Sequence, residues 1–202
     1  MYHLQKLYGD RQIPDLPVFL DSPMAVDASR LFCKHVADHK PTEDECRRSC
    51  AVARYVQELA ESKALDHDPM PKIIITASGM ATGGRVLHHV KHYAPDHRKA
   101  ILFAGFQASD TRGAAMTGGA RRVKIHGRQV PIEAEVDNLQ MLSAHADVDE
   151  ILDWLRGFDA APRRTFVTHG EPAASDALRQ RIDEELGWVC QVPEMNDEVE
   201  LN

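Results

Sequence analysis

Lys72-Ile73-Ile74-Ile75-Thr76 places apolar, β-branched side chains at consecutive rather than alternate positions, the pattern of a strand covered on both faces. It runs into Ser78-Gly79-Met80-Ala81-Thr82-Gly83-Gly84 and then into a helical pattern through Val86, Leu87 and Val90. Ala100-Ile101-Leu102-Phe103-Ala104 repeats the run and ends in a second polar loop, Gly105 to Gly113. Strand, glycine loop, helix and strand in this order predict a βαβ unit, hence an α/β fold with parallel pairing.

The flanking segments agree. A helix is expected to open the chain and end by Gly9, followed by a short strand at Val18-Phe19-Leu20 and a helix from Asp21-Ser22-Pro23 to about Ala37. Thr42 with Glu45 reads as a capping box, and Tyr55-Val56 fits strand or helix equally. Val123 to Val130 reads as an alternating hairpin turning at Gly127. Past Asn138 come a segment to Leu142, a helix capped near Asp147, a strand at Thr165-Phe166-Val167-Thr168, a helix from Ala174 to Leu186 and a strand near Cys190.

Charge is unevenly spread over the 202 residues, whose net value is −7. Lys72 to Arg128 holds ten basic residues against Asp96 and Asp110, giving +8 there and −15 over the remainder. A basic coat over the whole chain is excluded, and a polyanion would be drawn to the middle. On charge alone a solvated basic face explains this as well as a binding groove does. No apolar run approaches the length of a membrane span, and the N-terminus lacks the pattern of a secretory signal, so a cytoplasmic location is expected. Cys33, Cys46, Cys50 and Cys190 do not form a disulfide framework in a chain of this size, and reduced thiols are expected.

Ligands of open α/β sheets bind beyond the carboxyl ends of the strands, which directs attention to the exit loops. The Ser78 loop lets backbone approach a ligand and delivers it to a helix start, which suits phosphate oxygens. Its glycines would equally serve tight packing, and the surrounding basic window favours phosphate. It lacks the Gly-Lys-Ser/Thr ending of a Walker loop, and no G-x-G-x-x-G follows a strand. His145 and His169 stand 24 residues apart in two further exit loops, each followed by a small residue and an acid. Neighbouring parallel strands would set them side by side, as metal ligands or as proton donors to a leaving oxygen. His88, His89 and His92 lie on a helix with Arg85 and Lys91, where a solvated basic face is expected rather than a metal pair at 88 and 92, and a zinc clip from Cys46, Cys50, His35 and His39 is a minor alternative because its spacing matches no common zinc motif.

Six ordered motifs bring a family into view: Pro17 to Ala25, Ala77 to Met80 with Gly83 to His89, Gly105 to Ala108, Lys124 to Gly127, Ser143 to Asp147, and Thr168 to Glu171. Together they resemble the β-CASP branch of the metallo-β-lactamase-fold ribonucleases over nearly the whole chain. The resemblance implies an α/β fold in which residues 1–138 form most of a β-CASP parallel-sheet domain. Residues 139–202 would form the closing, RNA-specificity segment of a metallo-β-lactamase αββα fold. It also implies RNA running to a two-zinc centre where metal-activated water cleaves phosphodiester bonds, exo- or endonucleolytically. By that resemblance His145 contacts the scissile phosphate and assists proton transfer, and His169 ligates zinc. Ser78, Gly79, Gly83, Gly84, Arg85, Gln107, Thr111, Arg112 and Ser143 would meet the RNA backbone.

Two departures qualify the match. The family's His-x-His-x-Asp-His run is absent, so the zinc site is incomplete here and the chain alone is expected to be inactive. Asp110 stands where the family usually has glycine, which bears on the backbone of that loop. The leading expectation is the RNA-binding, active-site-completing portion of a zinc-dependent ribonuclease, partnered by RNA and by a lactamase half or a second copy, with no membrane. The alternatives are a non-catalytic RNA-binding or partner subunit and a small-molecule phosphate binder using the Ser78 loop.

Overall fold

The computed structural model describes residues 1–142 and 145–200, and divides the chain into two compact units, Met1–Ser143 and Ala144–Asn202. In the first unit, helix α1 (Tyr2–Gly9) precedes strand β1 (Val18–Leu20), whose consecutive apolar residues suit a central strand. Helix α2 (Pro23–Lys34) starts where Ser22 Oγ accepts the Ala25 amide and Pro23 fixes the first helical φ. A single 3₁₀ turn (Val36–Asp38) separates it from α3 (Glu43–Ala51), where Thr42 and Glu45 form the expected capping box. Strand β2 (Ala53–Tyr55) resolves the ambiguity at Tyr55, and α4 (Leu59–His67) leads to β3 (Ile73–Ile75). Both outer strands run parallel to β1, in the order β2-β1-β3.

Helix α5 (Val86–Tyr93) buries Leu87, His89 and Val90 and exposes His88, Lys91 and His92, so the solvated-face reading holds for His88 and His92 and fails for His89, which turns into the interior. Strand β4 (Ala100–Ala104) pairs in parallel with β7 (Glu135–Leu139), not with β3. The two strands of the expected βαβ unit therefore exist but share no ladder among the described residues. Their exit loops are joined instead, by Gly113 N–H donating to the Met80 carbonyl and by Gln107 Nε2 donating to that of Gly79. Nor is β4 covered on both faces: Phe103 enters the core while Leu102 is 59% exposed.

After the short helix α6 (Arg112–Thr117), β5 (Arg122–Ile125) and β6 (Arg128–Pro131) form the expected antiparallel hairpin. His126 and Gly127 have φ values of +46° and +78°, the double left-handed geometry of a two-residue hairpin turn. Val123, Ile125 and Val130 join Leu87, Val90, Phe103 and Met116 in one apolar core.

The second unit holds α7 (Val148–Arg156), with a capping box between Asp147 and Glu150, β8 (Thr165–Phe166), α8 (Pro172–Leu186) and β9 (Cys190–Gln191). Strands β8 and β9 run parallel, and Leu152, Leu155, Ile182 and Trp188 form its core. Among the described residues no helix is long and apolar enough to cross a membrane.

The cysteines correct an expectation. Cys33 on α2 and Cys50 on α3 form a disulfide, because these adjacent helices bring their Cα atoms within 6.9 Å. Cys46 and Cys190 are free. The zinc clip falls with the same observation: Cys50 is bonded to Cys33, Cys46 is buried, and His39 stacks on Phe32 with a ring nitrogen 3.1 Å from its carbonyl oxygen.

Candidate functional site

With strand order 2-1-3 the chain crosses from one side of β1 to the other at the carboxyl ends of β1 and β3, the position where open α/β sheets hold ligands. Asp21, the residue after β1, lies there fully buried, its amide donating to the Ile75 carbonyl. A carboxylate without water needs several donors. Ser62 Oγ donates at 2.5 Å, Arg85 Nη1 at 2.5 Å, and His89 Nε2 lies 2.7 Å from the oxygen that Ser62 also meets. The second ring nitrogen of His89 lies 2.6 Å from Asp66. Burial pushes the Asp21 carboxyl up, but hydrogen bonds from Ser62, Arg85 and His89 outweigh it and hold the group below the usual carboxylate range.

This network assigns Arg85 differently from the sequence reading. Its guanidinium faces Asp21 and the carbonyls of Val56 and Gln57, so it ties the Ser78 loop to the first sheet instead of standing ready for a phosphate. Sequence reasoning misses Asp21 and His89. The signal is present as an acid placed directly after an apolar strand, but its partners lie 41 to 68 residues away.

The other expected backbone-binding residues gather around the exit loops of β3 and β4. Ser78 Oγ is 2.9 Å from Thr82 Oγ1, and the Ser78 carbonyl accepts the Ala81 amide. Gly79 is exposed, and a Cβ at Gly79 or Gly83 would meet nothing. Gly84 differs: its φ is +80° and a Cβ would come within 3.3 Å of the Ala77 carbonyl oxygen. Gln107 Nε2 donates to the carbonyls of Gly79 and Gly105, while its Oε1 is buried without a partner among the described residues. Thr111 caps α6, accepting the Ala114 amide and donating to the Ala108 carbonyl, so its hydroxyl has a structural role.

Arg112 donates from Nε to the Lys124 carbonyl and from Nη1 to those of Ala81 and Thr82. Helix α6, the Ser78 loop and β5 are thereby locked around one guanidinium. Asp110 adopts φ +64°, the left-handed backbone that glycine takes without strain and that aspartate tolerates.

Ser143 lies outside the described residues. His145 is exposed ahead of α7, and His169 is exposed in the loop between β8 and α8 with φ +66°, an uncommon conformation for histidine. The strands before them take other partners than expected, β7 pairing with β4 and β8 with β9. Among the described residues no three His, Cys, Asp or Glu side chains converge on a point that could hold a metal ion. A hydrolytic zinc takes three protein ligands, so this donor set does not fit a complete zinc site.

Comparison with known proteins is consistent across the chain. A family model described as the Beta-Casp domain matches residues 1–116. One described as the Zn-dependent metallo-hydrolase RNA specificity domain matches residues 129–193, beginning inside β6 of the first compact unit. Ribonuclease TTHA0252 of Thermus thermophilus is 37% identical over 171 residues, which are 81% of this chain and 38% of that protein. Transcription termination factor FttA of Methanocaldococcus jannaschii is 33% identical over 114 residues, 54% of this chain and 18% of its own length. Integrator complex subunit 11 of Gallus gallus is 28% identical over 151 residues, 72% and 25% respectively. The chain thus spans less than two fifths of the length of each of these relatives.

Proposed function

The chain belongs to the β-CASP metallo-β-lactamase ribonuclease family, and from that premise we propose that it is the RNA-binding, active-site-completing portion of a zinc-dependent RNA hydrolase. Its RNA-binding surface is the junction of the Ser78 and Gln107 loops with α6. The observation that carries this reading is Arg112: backbone carbonyls of Ala81, Thr82 and Lys124 fix its guanidinium, and no carboxylate among the described residues neutralises it. A cation held in place with its charge uncompensated suits a phosphate oxygen.

Under this reading His145 contacts the scissile phosphate and moves a proton, and His169 contributes one ligand to a metal centre whose other ligands come from a lactamase half. Ser143 would join the phosphate contacts. The chain by itself binds RNA and does not cleave it, and it works in the cytoplasm.

The test has two arms. The 202-residue chain should bind a labelled single-stranded oligoribonucleotide with salt-dependent affinity, and Arg112→Ala should weaken it several-fold. In an enzyme completed with the lactamase half, His169→Ala should lose zinc and cleavage together, whereas His145→Ala should lose cleavage and keep zinc. Tight stoichiometric zinc with robust cleavage by this chain alone would overturn the reading. RNA binding without cleavage in the completed assembly would instead support a non-catalytic subunit.

A further inference from the structure

Within the first unit an open cavity of about 390 Å³ lies between Thr82, the start of α6 and the outward face of β5. Arg112, Arg122 and Lys124 line it against a single carboxylate, Asp110. The parity of the strand puts the last two cations there. Val123 and Ile125 must point into the core, so Arg122 and Lys124 project from the opposite face. Two residues apart on one strand, they sit roughly 6.6 Å from each other along it. The antiparallel register sets Gln129 across from Lys124, adding a neutral hydrogen-bonding group to the same face.

Elsewhere the chain neutralises many of its cations locally. Arg30, Arg47 and Arg48 on α2 and α3, and Arg156, Arg179 and Arg181 on α7 and α8, each pair with a carboxylate. Among the described residues, Arg112, Arg122 and Lys124 have no such pair. Arg112 has a structural reason to stand there, since its guanidinium ties α6, the Ser78 loop and β5 together; gathering Arg122 and Lys124 beside it is mildly unfavourable, and folding gives no reason for those two. An anionic ligand does. None of the cavity's lining residues is aromatic, so no base would stack there and recognition would be confined to the backbone.

We propose that this cavity and the outward face of β5 seat the phosphate backbone of single-stranded RNA, with Arg122 and Lys124 on successive phosphates beside the fixed Arg112. The inference rests on the RNA-binding function proposed above and extends its path to two residues outside that set. Binding here is independent of sequence.

The experiment uses the whole chain and a labelled single-stranded oligoribonucleotide of mixed sequence, with affinity measured by fluorescence anisotropy over a series of KCl concentrations. Each phosphate contact on a single strand contributes about 0.7 to the slope of log K against log salt. Arg122→Gln with Lys124→Gln should therefore lower the slope by about 1.4. Arg30→Gln with Arg47→Gln removes the same charge from α2 and α3 and should leave it unchanged. An unchanged slope in the first pair, with Arg112→Ala still weakening binding, overturns this site and leaves the proposed function standing. No RNA binding by the unsubstituted chain overturns both. Inorganic phosphate that competes in the unsubstituted chain but not in the Gln pair, while the RNA slope is the same in both, would make the cavity a free-phosphate site and overturn the RNA assignment. Because both side chains are exposed, the Gln pair should keep the unsubstituted chain's circular dichroism. If it does not, Arg122→Gln alone, expected to lower the slope by about 0.7, carries the same test.

Discussion

Asp21→Ala removes the acceptor shared by Ser62, Arg85 and His89 and leaves two largely buried basic side chains without it. Breaking one side of a buried ion pair costs roughly 3–5 kcal/mol. The lower end applies here, because Arg85 keeps the carbonyls of Val56 and Gln57 and His89 keeps Asp66. About 3 kcal/mol, with a urea dependence near 2 kcal/mol per molar, lowers the unfolding midpoint by about 1.5 M. The chain supplies its own reporters: all four tyrosines, Tyr2, Tyr8, Tyr55 and Tyr93, lie in the first unit, and both tryptophans, Trp154 and Trp188, lie in the second. Tyrosine absorbance should therefore report the loss.

Acidity adds an independent check. The folded Asp21 carboxyl lies below its unfolded value of about 3.9. Its stabilisation is complete above that value and is lost as the pH falls through the folded one. The gap between the unsubstituted and variant proteins should thus be widest above about pH 5 and shrink at lower pH. A tyrosine-reported midpoint unmoved by the substitution, or a gap that grows on acidification, would refute the reasoning.

Two further outcomes are expected. In Gly113→Ala the new Cβ would fall 1.7 Å from Gln107 Oε1 and 3.2 Å from the Met80 Cα, so Gln107 must leave its bonds to Gly79 and Gly105. A cost of about 2 kcal/mol should appear as a lower tyrosine-reported midpoint in urea. Burial, with Asp66 and Asp68 adding to it, pushes the Tyr93 phenol up to about 12, so a spectrophotometric titration should lose its last phenolic step in Tyr93→Phe. Between pH 10 and 12 the folded Tyr93 keeps a proton that the unfolded chain releases, and stability should fall across that interval.

The elements that local chemistry specifies are legible in the order of the residues. The capping boxes at Thr42 and Asp147, the Ile73–Ile75 strand, the amphipathic α5 and the hairpin turning at Gly127 all follow from residues within a few positions of one another. The Ser78 and Gln107 loops are legible too, because glycine clusters after strands are a local pattern. Which strand pairs with which is not. The preference of β3 for β1, of β4 for β7 and of β8 for β9 depends on the whole set of competing edges.

Sequence by itself thus determined the α/β class, the family and the basic middle of the chain, since these reside in residue order and composition. Only the tertiary structure decided that Arg85 serves Asp21, that Cys33 meets Cys50, and that Arg112, Arg122 and Lys124 share one cavity. Charge is a property of a residue. Whether that charge is neutralised depends on neighbours that can be 64 positions away, as Asp21 is from Arg85, and folding alone brings them together.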